Sequence, residues 1–149
     1  TDYCSWRGLL VMSGIDLASG RDNRRILRSE DARCALWVGV IDDLWKLGKP
    51  RGTGGPWKHH KVRANQSSDP YLMTGFDNKV LHLAHESEGD VVFSIEVDFL
   101  GNGSWKPYES YLVYEGGYMH HEFPTGFSAH WVRVTANRDC TATAYFTYT

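Results

Sequence analysis

The chain has 149 residues, with 16 Lys and Arg against 18 Asp and Glu and a formal net charge of −2. This balance lacks the excess of cations needed to neutralise a phosphate backbone, so we expect no nucleic-acid partner. The hydrophobic fraction of 42% is that of a globular protein, and no stretch reaches the roughly 18 apolar residues of a membrane helix, so no membrane partner is expected. The one basic patch is interleaved with acidic residues, is predicted to be solvated, and comprises Arg21, Arg24, Arg25 and Arg28.

The first fifty residues carry three short predicted strands, at 6–13, 24–29 and 35–41. The outer two are nearly continuous in apolar residues, which predicts that both of their faces are covered. Residues 41–47 are predicted to form one or two helical turns, because Gly48 and Pro50 end the segment at once. The Gly- and Pro-rich stretch 51–70 then predicts a long irregular connection.

From Lys79 onward, apolar and polar residues alternate with a period of two, which is typical of half-buried strands. In the clearest run, one face is predicted to carry Val91, Phe93, Ile95, Val97 and Phe99. Further strands are predicted at 80–83, 110–114, 120–123, 129–136 and 141–148, with 110–114 and 120–123 forming a hairpin. The predicted fold class is all-β, with an antiparallel β-sandwich of jelly-roll or Ig-like type over 71–149.

Two Asn-x-Ser triplets, at Asn65 and Asn102, lie beside turn-forming residues and predict N-glycosylation of a secreted glycoprotein. Three cysteines allow at most one disulfide, in which Cys4 pairs with either Cys34 or Cys140. The chain has no initiating Met and no signal-peptide pattern, so we expect a processed or excised piece of a larger secreted protein.

No cofactor is predicted. Seven histidines invite a metal hypothesis, but adjacent strand residues such as His120 and His121 point to opposite faces, so surface or hydrogen-bonded histidines are the preferred interpretation. For acid–base catalysis Asp42 and Asp43 are the best carboxylate pair available. Their alternative role is to cap a turn by accepting backbone N–H groups.

Sugar binding is the sharper functional hypothesis, because a pyranose stacks its C–H face on flat aromatic rings and takes hydrogen bonds from neighbouring charged groups. The candidate ligand-binding residues are Trp45, Lys46, Trp57, Lys58, Tyr71, Trp105, Tyr108, Trp131 and Arg133. The competing interpretation is that aromatic residues of a small β-protein fill its core. For Trp57 and Trp105, both placed in predicted loops, the two interpretations are evenly matched.

Several segments resemble the C-terminal region of a family of secreted bacterial and fungal β-propeller proteins. They are Ala35–Pro50 (ALWVGVIDDLWKLGKP), Gly54–Lys58 (GGPWK), Ser68–Gly75 (SDPYLMTG), Phe127–Val134 (FSAHWVRV) and Asp139–Ala144 (DCTATA). The resemblance implies that residues 1–50 are propeller-like closing strands, 51–70 a connecting loop and 71–149 an appended sandwich. It also implies a parent polysaccharide lyase or glycoside hydrolase whose upstream propeller is the chain's partner.

The resulting hypothesis is an accessory, non-catalytic β-sandwich of a secreted polysaccharide-handling protein, which binds a glycan or buttresses the catalytic body. One alternative is a subunit of a carbohydrate-active enzyme in which the loop 42–58 completes an active site. The other is a purely structural module. If the chain is such an accessory module, we expect it to have no catalytic turnover on its own.

Overall fold

A computed structural model describes residues 2–18 and 22–149, so Arg21 of the basic patch lies outside the described residues. The chain divides into two compact units, Thr1–Gly48 and Lys49–Thr149. Within the described ranges, no helix has the length and hydropathy of a membrane span.

The first unit is an antiparallel four-stranded sheet followed by a short helix. Its strands are β1 (Tyr3–Trp6), β2 (Leu9–Met12), β3 (Ile26–Arg28) and β4 (Ala35–Gly39), in the order β1-β2-β4-β3. A 3₁₀ helix spans Ile41–Leu47, which confirms the predicted helical turns. It ends at Gly48, whose φ of +102° is a backbone conformation that glycine adopts without strain.

Two strand predictions for this unit are wrong. The predicted strand 6–13 is interrupted by the turn of the β1–β2 hairpin, because Arg7 and Gly8 both have positive φ values, +50° and +79°, and make a two-residue turn that pairs Trp6 with Leu9. In β4 one face is covered, with Trp37 only 2% exposed, whereas Leu36 on the other face is 41% exposed. Apolar continuity therefore does not indicate two covered faces here.

The second unit is a sandwich of two four-stranded antiparallel sheets. Its strands are β5 (Gly52–Val62), β6 (Tyr71–Leu72), β7 (Lys79–Glu86), β8 (Val91–Asp98), β9 (Lys106–Val113), β10 (Tyr118–Glu122), β11 (Trp131–Ala136) and β12 (Cys140–Tyr148). The first sheet has the order β10-β7-β12-β5, and the second sheet has the order β6-β11-β8-β9. The predicted all-β class and antiparallel sandwich are confirmed.

Strand pairing in the sandwich is nested. The innermost pair is the β8–β9 hairpin, and moving outward along the chain β7 pairs with β10, β6 with β11, and β5 with β12. Strands β11 and β12 lie inside their sheets and also pair with β8 and β7. Of the two sandwich types predicted from the sequence, this order is that of the jelly roll.

The core lies between the two sheets and follows the predicted alternation. The inward side chains of β8 and β12 are almost completely buried, and they are Val91, Phe93, Ile95, Val97, Ala142, Ala144, Phe146 and Tyr148. Hydrogen bonds also join the two sheets: the Tyr148 hydroxyl donates to the Leu72 carbonyl at 2.7 Å, and the buried His85 Nε2 bonds the Val113 carbonyl oxygen at 3.0 Å. Each buried Val, Leu or Phe side chain contributes about 1.5–3 kcal/mol to the free energy of unfolding.

Three further predictions for the sandwich are corrected. Residues 51–70 are not an irregular connection, because β5 occupies Gly52–Val62 and pairs with β12. The segments 110–114 and 120–123 do not form a hairpin, since β9 pairs with β8 and β10 crosses to pair with β7. Phe99 is 50% exposed because β8 ends at Asp98, so it does not continue the buried face.

Candidate functional site

The outer face of the second sheet carries the densest group of predicted site residues. Along β11, Val132 and Val134 point into the core, so Trp131 and Arg133 lie half-buried on the outer face. The register of β11 against β8 places Arg133 directly opposite Glu96. We call this surface, made by Glu96, Trp105, Trp131 and Arg133, the Arg133 face.

Arg133 is held between a carboxylate and an aromatic ring. Its Nε donates to Glu96 Oε2 at 2.7 Å, and the two side chains are only 27% and 25% exposed. Its Cζ lies 4.4 Å from the centroid of the Trp105 ring, which is a cation–π contact worth about 0.5–1 kcal/mol at such a position. The guanidinium is thereby fixed in one orientation. In the described part of the chain, its Nη1 and Nη2 atoms make no hydrogen bond.

The loop that carries Trp105 is anchored by Asp98. One carboxylate oxygen of Asp98 accepts hydrogen bonds from the N–H groups of Leu100 and Gly101, at 3.1 and 3.0 Å, and the other accepts from Gly103 at 2.7 Å. Burial alone would raise the pKa of Asp98, but these backbone donors outweigh it and hold that pKa below its usual value. Asp98 is thus a buried, ionised anchor for the turn before Trp105.

The Arg133 face continues into two pairs of hydroxyl groups. Ser94 and Ser110 lie opposite each other on β8 and β9 with their Oγ atoms 3.1 Å apart, and Thr135 Oγ1 lies 2.9 Å from Ser67 Oγ. On β11, Thr135 follows Arg133 on the same side, roughly 7 Å further along the strand. Aromatic rings, a charged fork and hydroxyls therefore share one side of a rigid sheet.

Four predicted ligand-binding residues of the sandwich lie elsewhere. Trp57 is 6% exposed and belongs to the core, so it offers no ring face for stacking. Tyr108 bonds His121 Nε2 through its hydroxyl at 3.0 Å. Tyr71 stacks on Phe146 with ring centroids 5.8 Å apart, and Lys58 lies on the first sheet, 5.5 Å from the Tyr145 ring.

The remaining candidates belong to the first unit. Asp43 is 6% exposed and accepts hydrogen bonds from Lys46 Nζ at 3.0 Å and Val40 N at 3.3 Å, and it pairs with Arg25 Nη2 at 2.8 Å. These partners, Lys46 first, hold the pKa of Asp43 below its usual value, so the group is a fixed anion and a turn cap rather than a proton donor. Asp42 is exposed, and Trp45 is 82% exposed.

The predicted glycosylation and cysteine positions are accessible to different degrees. Asn65 lies exposed in the turn after β5, and Asn102 lies exposed in the turn before Trp105, so both stay predicted acceptors. Cys4 and Cys34 are exposed, Cys140 is half-buried, and all three thiols are free in this structure. In the chain segments that the structure describes, no three His, Cys, Asp or Glu side chains form a metal-ligating group.

Comparison with known proteins leaves the chain without a family. No protein-family model and no curated protein matches it. The solved structure of PirA is 14% identical in sequence, covers 67% of this chain and 82% of its own length, and superposes with a TM-score of 0.36. A likeness that low carries no argument about function or fold, so the propeller-family resemblance remains a prediction.

Sequence patterns identified Trp105, Trp131 and Arg133, but they missed Glu96, Asp98 and the serine hydroxyls. Glu96 is 37 positions from Arg133, and only the register of the β8–β11 ladder brings the two together. In the alternating pattern of β8, Glu96 and Ser94 fall on the side opposite the predicted apolar face. The site could have been located from the sequence if the outer face of β8 had been combined with a predicted pairing of β8 with β11, which brings Glu96 next to Arg133.

Proposed function

We propose that the jelly-roll unit is a non-catalytic glycan-binding module, and that the Arg133 face is its binding site. The single observation that carries the proposal is the Arg133 guanidinium fixed between Glu96 and the Trp105 ring on an exposed sheet face. A preformed site of this kind loses little side-chain entropy when a ligand binds. A rigid platform suits a ligand as mobile as a sugar chain.

The chemistry of the Arg133 face matches a pyranose. Trp105 and Trp131 are both half-buried, which leaves part of each indole for stacking against sugar C–H groups. The Nη atoms of Arg133 are oriented donors, and a guanidinium fork fits a carboxylate with two parallel hydrogen bonds. This donor pattern favours glycans that carry uronic acids. Because Glu96 would repel a ligand carboxylate on its own side of the guanidinium, the ligand carboxylate would bind at the Nη atoms.

Non-catalytic binding is preferred to the enzyme-subunit alternative. Residues 42–58 are not a free loop, because they include all but the first residue of the 3₁₀ helix and the part of β5 from Gly52 to Lys58. Asp43, the stronger of the two candidate carboxylates, is an ion-paired anion that has no proton to donate. Secretion and glycosylation at Asn65 and Asn102 remain parts of the proposal that the two Asn-x-Ser triplets support, and an upstream propeller partner is a part that the resemblance alone supports.

The test is binding of the full chain to a glycan array, followed by titration calorimetry with the best ligand. Trp105→Ala and Trp131→Ala are each expected to weaken binding at least about tenfold, a loss of about 1.4 kcal/mol, because each removes a stacking ring. Arg133→Lys should weaken binding to uronate-containing glycans more than to neutral ones, because an ammonium lacks the guanidinium fork.

Tyr118→Ala is the matched control, since Tyr118 is a 60% exposed aromatic residue on the outer face of the opposite sheet. It should leave affinity unchanged. If Trp105→Ala retains full affinity, or loses affinity only in step with a several-kcal/mol loss of unfolding free energy, the purely structural alternative is correct. Trp57→Ala should show that second pattern, because truncating a buried Trp costs about 3–5 kcal/mol.

A further inference from the structure

A polar cleft lies at one side of the jelly-roll unit, between β5, an edge strand of the first sheet, and the segment that leads into β6, an edge strand of the second. It has a volume of about 230 Å³, and its lining includes Lys61, Arg63, Gln66, Ser67 and Asp69; we call it the Arg63 cleft. Pockets for drug-sized ligands enclose about 300–1,000 Å³. The Arg63 cleft is just below that range, so it suits a single sugar residue rather than a whole oligosaccharide.

The charged groups of the Arg63 cleft are available to a ligand. Lys61 and Arg63 are both exposed, and within residues 2–18 and 22–149 neither side chain makes a hydrogen bond or an ion pair. Asp69 supplies the one carboxylate among the described lining residues, and it is also exposed and unpaired there. Two cations and one carboxylate leave a net charge of +1, with histidine counted as neutral.

This set of groups matches the chemistry of a uronic acid residue. Lys61 and Arg63 only donate hydrogen bonds, and their positive charge favours a carboxylate as the acceptor. The Asp69 carboxylate only accepts, and the Gln66 amide both donates and accepts, so these two groups suit the hydroxyls of a sugar. A neutral sugar would leave one of the two cations without a counter-charge, because Asp69 balances only the other.

The Arg63 cleft and the Arg133 face are joined through Ser67. An isolated antiparallel bridge pairs Ser67 with Thr135, and their hydroxyl oxygens lie 2.9 Å apart. In such a pair one hydroxyl donates and the other accepts, which leaves one O–H group for a ligand. Thr135 lies roughly 7 Å from Arg133 along β11, and paired strands lie about 5 Å apart. The backbone at Ser67, on the rim of the cleft, is therefore within roughly 12 Å of the backbone at Arg133.

We infer that the Arg63 cleft is a second subsite of the glycan-binding site, and that the ligand is an oligosaccharide with uronic acids at more than one position. One sugar carboxylate binds the Nη atoms of Arg133, and another, further along the same chain, binds Lys61 and Arg63. This inference rests on the proposed function and adds to it that the ligand is a polyanionic chain. Two linked contacts raise the affinity for such a chain because the second binding event is intramolecular.

The experiment compares short and long uronates by titration calorimetry on the full chain. The probes are homo-oligomers of galacturonic, glucuronic, mannuronic and guluronic acid, each as a dimer and as an octamer. A dimer is too short to reach both subsites, whereas an octamer spans them. For the sugar that binds best, Arg63→Gln and Lys61→Gln should each weaken octamer binding at least about fivefold and change dimer binding by less than about twofold. The octamer also has more registers in which to bind, but that statistical gain is the same in every variant and cancels from the comparison.

Lys58→Gln is the matched control, since Lys58 lies on the same strand as Lys61 and does not line the Arg63 cleft. It removes the same charge and should leave octamer affinity unchanged. The inference is overturned if Arg63→Gln leaves octamer affinity unchanged, if it weakens dimer and octamer equally, or if Lys58→Gln weakens the octamer as much.

Failure of the second subsite is distinguishable from failure of the proposed function. If only the second subsite is wrong, Trp105→Ala still weakens dimer and octamer alike. If the proposed function is wrong, Trp105→Ala leaves both affinities unchanged. Absence of binding by all of the uronate probes overturns the second subsite as well, whereas neutral glycans that bind the array and lose affinity in Trp105→Ala would still support the Arg133 face.

Discussion

Gly54 tests whether the packing around Tyr71 is as close as the structure shows. A Cβ at Gly54 would lie 2.0 Å from the Tyr71 hydroxyl and 3.2 Å from its Cζ. Gly54→Ala therefore forces Tyr71 out of its stacked position on Phe146, where the rings lie 5.8 Å apart and 9° from parallel. Overpacking of this kind costs about 1–3 kcal/mol of unfolding free energy. For a unit of this size the melting temperature should fall by roughly 5–15 °C.

Removing the Tyr71 hydroxyl should rescue the variant. In Gly54→Ala/Tyr71→Phe the 2.0 Å conflict is gone, and the 3.2 Å contact with Cζ is relieved by a shift of a few tenths of an ångström. We expect the double variant to recover at least half of the lost free energy, while Tyr71→Phe alone stays within about 0.5 kcal/mol of the wild type. Urea denaturation, followed by tryptophan fluorescence, gives all four free energies of the cycle.

Gly55→Ala is the control for this cycle. Its added Cβ would meet backbone atoms of β12, the Ala144 carbonyl oxygen at 2.1 Å and Tyr145 Cα at 2.6 Å. Tyr71→Phe cannot relieve that contact, so no rescue is expected. The packing described here is refuted if Gly54→Ala is as stable as the wild type, or if the double variant is no more stable than Gly54→Ala.

Three further predictions concern titration and the loop anchor. Burial raises the pKa of Tyr148 well above its usual range, so the native state keeps a proton that the unfolded chain releases. The free energy of unfolding should therefore fall as the pH rises above about 10. Tyr148→Phe should flatten that fall in urea titrations across pH 9–12. Burial lowers the pKa of His121 below its usual value of about 6.5. The contribution of neutral His121 to the free energy of unfolding is therefore present above that pH and is lost as the pH falls through the lower native pKa. His121→Phe should make the melting temperature fall less steeply with pH on the acid side. Asp98→Asn replaces one acceptor oxygen by an NH₂ group, so hydrogen exchange of the Gly101 or Gly103 amide should accelerate and glycan affinity should fall with it. Unchanged exchange at both amides would show that Asp98 does not order the loop.

The second half of the fold was predictable because each strand there has one buried face. Val132 and Val134 in β11 alternate with Trp131 and Arg133, and the structure buries the first pair completely. This pattern is local, since a side chain's face follows from its position in its own strand. Which strands pair is not local. The segment Glu115–Gly117 has the composition of a hairpin turn, yet it carries the chain from one sheet to the other.

β5 was missed for a physical reason. Its glycines lower the intrinsic strand propensity, but Gly54 and Gly55 are required where Tyr71 and the β12 backbone approach most closely. Tertiary packing therefore overrides local preference, and Trp57 moves from a predicted loop into the core. The Arg133 face could be predicted only in part. Residue type indicated Trp105 and Arg133, whereas the position of Glu96 opposite Arg133 depends on strand register, which is not a local property.

The nested pairing of the jelly roll also constrains how the protein is made. β12 lies between β5 and β7 in the first sheet, and Tyr148 pairs with Gly52 at the far end of the unit. Contacts this distant in sequence form slowly, so a nascent chain carries two bare strand edges until its last strand emerges and docks. During that interval the chain is vulnerable to edge-to-edge association. Yield of the soluble protein should therefore depend on translation speed and chaperone supply more than on the final stability of the fold.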